Sequence, residues 1–167
     1  MAKPDNQTLI KAVHHIVHDY ANLMSSGTLT QPDDAEKANI QPPVNTHIQH
    51  AFLLNCRKLA DFFNNSTDWP DDIIAKHFTG SSEKPILKEW DYWGKPMDKQ
   101  LAHLTYTRVT APVPWDGYKA NRLLLNEFQA AWKLFLNKVQ EPFEVIFDSE
   151  ISKKEQSNSE FKDLDLR

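Results

Sequence analysis

The sequence predicts an all-α fold: a helical bundle of about four main helices plus one short helix, joined by long connecting loops. Three observations predict it. Apolar residues recur at helical spacing through three long stretches. Ten prolines against four glycines fall between or at the ends of those stretches, as punctuation for helices rather than for a sheet. A 40% hydrophobic content in 167 residues is enough for one core. The reading is a single helical domain over 1–149. It is followed by 150–167, where charges and serines outnumber apolar groups and predict a disordered tail.

Each element has its own signal. From Asp5 to about Ser26 the apolar positions are Leu9, Ile10, Val13, Ile16, Val17, Tyr20, Ala21 and Met24, with Asp5 or Asn6 as cap and Gly27 as stop. Thr28 to Pro43 is polar, proline-bearing and without period, a long surface connection. Val44 to Asn65 is the most apolar helix: Ile48, Ala51, Phe52, Cys56, Leu59, Phe62 and Phe63 share one side, with Leu53 and Leu54 at its edges. So apolar a helix is expected in the middle of the bundle, with its one polar stripe facing protein. Trp69 to Phe78 reads as a short helix begun by Asp68 and Pro70. Thr79 to Lys95 reads as a loop whose Trp90, Tyr92 and Trp93 pack back over the bundle. Further helices are expected from Pro96 to about Thr107 and from Asp116 to Val139, separated by Pro112 and Pro114. Phe143 to Phe147 fits either an extended segment or a helical turn.

Composition narrows the function classes. A formal net charge of -4 argues against a general nucleic-acid binder, which needs a basic face to neutralise phosphates. No secretion leader and no apolar run of the ~18 residues that span a bilayer can be read, so no membrane partner and a cytoplasmic location are expected. The single cysteine, Cys56, cannot close an internal disulfide and lies on the apolar face of its helix, a packing position. Glycine-rich phosphate loops and serine-nucleophile elbows are missing, and no cofactor is expected.

Three groupings could carry chemistry. His50, Arg57 and Asp61 form the polar stripe of the second helix. Arg57 either pairs with Asp61 as structural glue or grips a phosphate or carboxylate while His50 moves a proton. His103 and Arg108 lie in DKQLAHLTYTR, where Arg108 projects with Met97, Leu101 and Leu104 and needs an acid such as Asp61. His14 with His18, and His47 with His50, have the spacing that metal sites in bundles use; they are weak metal candidates, because His15 and His18 lie opposite the apolar stripe and His14 at its edge.

The blocks HAFLLNCRKLADFF and DKQLAHLTYTR, with the tryptophan-bearing loop between them, resemble a family of uncharacterised bacterial all-helical proteins over roughly Thr46 to Val139. That resemblance implies relatives without implying an activity. A looser likeness is to HEPN-type helical bundles, and it implies a metal-independent ribonuclease in which histidine is acid or base and arginine stabilises the phosphorane. Their arginine precedes the histidine, whereas His103 precedes Arg108 here. The leading functional expectation is a binding or regulatory module with Arg57, Asp61, Arg108, Trp90 and Trp93 around its ligand. Its partner would be a protein or a small anionic ligand, with a homodimer through exposed aromatics as a further form. The alternatives are the HEPN-like ribonuclease acting on RNA through His103, Arg108, His50 and Arg57, and a multi-histidine metalloenzyme.

Overall fold

In the computed structural model, residues 4–30, 44–65, 72–94, 117–157 and Leu166 are described. Among them the fold is an all-α helical bundle without strands. Its elements are α1 (Asn6–Leu29), α2 (Val44–Phe63), the single-turn α3 (Lys76–Thr79), a π-helical turn (Trp90–Gly94), α4 (Gly117–Leu136) and α5 (Phe143–Ser157). The expected helix from Pro96 to Thr107 and the connection from Gln31 to Pro43 lie outside the described residues. Among those that are described, no helix is long and apolar enough to cross a membrane.

α1 starts where its cap predicts, with an Asp5 carboxylate oxygen accepting the Thr8 N–H at 2.7 Å. It does not stop at Gly27. A Cβ at that position would lie 2.7 Å from Leu125 Cδ1 and 2.9 Å from Phe52 Cε2, so the glycine serves close approach inside the helix. The last turn closes two residues later, where the Thr30 hydroxyl donates to the Gly27 carbonyl at 2.7 Å. α2 ends at Phe63, and Asn65 turns the chain in the left-handed region with φ 51°. Its side-chain oxygen accepts the Lys76 N–H at 2.8 Å, and the Ala75 N–H donates back to the Phe62 carbonyl at 3.0 Å. Those two bonds start α3 at Lys76; of the short helix expected over Trp69 to Phe78, residues 72–74 are not helical, and Trp69 to Asp71 lie outside the described residues.

Contacts fix the directions of the long helices. Lys58 meets Asp19 at 2.9 Å, and Phe52 lies against Gly27, so residue numbers on α2 fall as those on α1 rise: the pair is antiparallel. α4 is also antiparallel to α1, since Leu125 lies at Gly27 and Trp132 stacks on Tyr20 with centroids 4.2 Å apart. α5 runs parallel to α1, joined through His14 to Glu150 and His18 to Lys154.

The core is aromatic at one end. The Phe135 ring of α4 lies 5.2 Å from Phe62, 6.0 Å from Phe63, 6.3 Å from Phe78, 5.6 Å from Trp132 and 5.3 Å from Phe147. One side chain thereby ties α2, α3, α4 and α5 together through edge-to-face geometry.

The expected tail is overturned over its first half. Phe143, Phe147 and Ile151, spaced by four, are all buried and lay α5 onto the bundle through Ser157. Leu166 is also fully buried, and its carbonyl accepts the Trp132 indole N–H at 2.9 Å.

Candidate functional site

The polar stripe of α2 faces outward, which corrects the expectation that it meets a second layer of protein. His47, His50, Ala51, Leu54, Arg57, Lys58 and Asp61 are all exposed, at the three- and four-residue spacing of one helix face. Leu54 is 55% exposed rather than an edge of the apolar side. α2 is therefore a peripheral amphipathic helix: its buried arc of Phe52, Leu53, Cys56, Leu59, Ala60, Phe62 and Phe63 packs on α1 and α4. His50 and Arg57 stand two turns, about 10 Å, apart along this convex face. The Lys58 ammonium pairs with Asp19.

Beside α2 and α4 sits the turn that the sequence presents as a loop. Glu127 of α4 holds it, with Oε1 accepting the Glu89 N–H and Oε2 the Trp90 N–H, each at 2.9 Å. Those N–H groups begin the helical turn, so the carboxylate caps it from a separate element. Burial pushes the Glu127 carboxyl above its ordinary value, outweighing the backbone donors that favour its anion. The same carboxylate lies near Cys56, whose thiol is raised well above its usual range by full burial first and by that charge second. Cys56 is thus a packed thiol without nucleophilic character.

Trp90, an expected ligand contact, is instead core: it is 4% exposed, with its ring 6.1 Å from Phe128. Trp93 is half-buried and stands edge-on to Tyr92 at 4.8 Å. Tyr92 is 70% exposed and carries the outer surface of the turn.

The histidine pairs do not converge. The antiparallel register sets His14 and His18 level with the C-terminal end of α2, whereas His47 and His50 lie toward its other end, roughly 15 to 20 Å away along the axis. His14 and His18 stack on each other with centroids 6.5 Å apart, but they face α5. His14 Nδ1 lies 3.0 Å from Glu150, and both ring nitrogens of His18 are occupied, by Lys154 and Asn22. Among the described residues no group of three or more His, Cys, Asp or Glu could hold a metal ion.

A groove of about 390 Å³ opens between the end of α4 and the start of α5, lined by Lys133, Leu136, Asn137, Val139, Glu144, Phe147 and Asp148. It contains none of the residues singled out from the sequence. His103 and Arg108 lie outside the described residues. The structure thus brings together His50, Arg57 and Asp61 on one outer face, and adds Glu127, which sequence reasoning missed, and Tyr92, which was expected to pack back over the bundle and instead faces outward. In the sequence Glu127 follows Asn126 between Leu125 and Phe128, an ordinary polar pair on a helix that gives no signal of a contact with residues 89 and 90. The chain matches no protein-family model, no curated protein and no solved structure.

Proposed function

We propose that the chain is a binding module that recognises a protein partner through the outward stripe of α2 and the aromatic turn packed beside it. The observation that carries this reading is the Glu127 clamp: a half-buried carboxylate holds a π-helical turn, and that turn leaves a tyrosine 70% exposed. π-Helical turns are uncommon and concentrate at functional positions, and a clamped turn presents its ring at low entropic cost. On α2, Leu54 offers an apolar anchor with Arg57 one turn away for a partner carboxylate. A convex helix face with its histidine and arginine two turns apart suits docking better than enclosure of a reacting atom.

Affinity co-purification of the tagged protein with Leu54→Glu, Arg57→Met and Tyr92→Ala, beside Val145→Glu as an exposed control on α5, is the test. The three surface variants are expected to lose a polypeptide that wild type and control retain at equal melting temperature. Loss of no polypeptide, or equal loss in the control, overturns the reading. Chelator-resistant RNA cleavage that Arg57→Met abolishes would replace it with a ribonuclease.

A further inference from the structure

We propose that the seam between α1 and α5 is a pH-sensitive contact, in which protonation of His18 releases the last turn of α5. The geometry fixes the protonation state. The Lys154 ammonium has only hydrogens to offer, and it lies 2.9 Å from His18 Nδ1, so that nitrogen presents its lone pair. The imidazole is then neutral, with its proton on Nε2. The Asn22 amide nitrogen Nδ2 lies 3.0 Å from Nε2, so donor groups face both ring nitrogens, and the Nε2–H of the neutral ring is satisfied when that amide turns to present its oxygen. A second proton on the ring would occupy Nδ1, abolish the acceptor and set two cations face to face.

The charges around His18 come from three helices. On α1 itself lie His14 and Asp19, on α2 Lys58, and on α5 Lys154. Asp19 is the one of these that favours the imidazolium, and it is already engaged by Lys58 at 2.9 Å. One turn earlier, His14 meets Glu150, whose second oxygen takes the Lys153 ammonium. Burial first, then Lys154, holds the His18 ring below its ordinary value, in agreement with that geometry.

What yields is set by packing. α5 is anchored by Phe143, Phe147 and Ile151, and its buried apolar positions end at Ile151. From Ser152 to Ser157 the helix therefore leans on polar contacts such as Lys154 to His18. Because the folded state favours the neutral ring, the contact is fully present above the ordinary histidine value of about 6.5 and is lost as pH falls through the lower folded value. Each unit between those two values multiplies the open population about tenfold in acid.

The test is NMR on the full chain, titrating the imidazoles while following amide exchange from Ser152 to Ser157 between neutral and mildly acidic pH. His18 is expected to titrate below its ordinary value, with exchange of that turn, corrected for intrinsic rate, rising through the same pH range. His18→Gln, an acceptor at every pH, should remove the rise. Lys154→Met should raise the His18 titration point, and His14→Gln should leave the rise in place. An ordinary or raised His18 value with unchanged exchange overturns the proposal. So does a rise that survives both His18→Gln and Lys154→Met, or one that only His14→Gln abolishes.

Discussion

The aromatic cluster around Phe135 and the α1–α5 seam hold the same helix by different physics. At one end α5 is fixed by Phe143 and Phe147, whose rings meet Phe78, and Phe147 also meets Phe135 and Trp132. Toward its other end it is fixed by His14 to Glu150 and His18 to Lys154. Apolar contacts do not titrate and scale with area removed from water, whereas the polar ones depend on protonation and are screened by salt. The comparison teaches that one end of α5 sets whether the chain folds and the other sets under which conditions the helix is fully docked.

The largest expected effect tests the first half of that statement. Phe135→Ala removes the ring shared by four elements and should cost about 3 to 5 kcal/mol in urea unfolding, the range for deleting a core phenylalanine. A loss well under that range would mean that the neighbouring rings collapse into the space. An intermediate effect belongs to the clamp. Glu127→Ala strips the acceptor from two backbone N–H groups and should cost about 1 to 3 kcal/mol. In a Tyr92 fluorescence or exchange measurement it should also loosen residues 88–94; an unchanged turn would mean that Trp90 alone positions it. The smallest effect is at the seam. Glu150→Gln should cost no more than about 1 kcal/mol at neutral pH, because its partners His14 and Lys153 are exposed. The Glu150 carboxyl is held below its ordinary value, first by Lys153 and then by His14. Its contribution is therefore present above that ordinary value and fades as pH falls through the lowered one, so wild type and variant should converge in melting temperature in strong acid.

α1, α2 and α4 were legible because each repeats its apolar residues over five or more turns, and Asp5 was legible as a cap by residue type. What failed did so for separate reasons. Phe143, Phe147 and Ile151 carry a four-residue repeat, but serines and charges dilute it, and reading the segment from 150 onward as a tail removed α5 from view. Without α5, the partners of His14 and His18 were hidden: His14 is exposed, as its place at the edge of the stripe suggests, but meets Glu150, while His18 is half-buried against Lys154. On α2 the error ran the other way. Ala51 and Leu54 suggested an all-round apolar helix, yet they share the exposed arc with His50, Arg57 and Asp61, because the bundle needs only half of that helix. Glu127 and its clamp were illegible for another reason: a contact between residues 37 and 38 positions apart leaves no local pattern.

The His14 to Glu150 and His18 to Lys154 contacts each join residues 136 positions apart, whereas Lys58 and Asp19 are separated by 39. Loop-closure entropy grows with that separation, and contacts distant in sequence form late unless something local gathers them first. The α1–α2 hairpin can therefore nucleate from nearby chain, and the groups that sense acidity belong to the closing event of assembly rather than to its beginning.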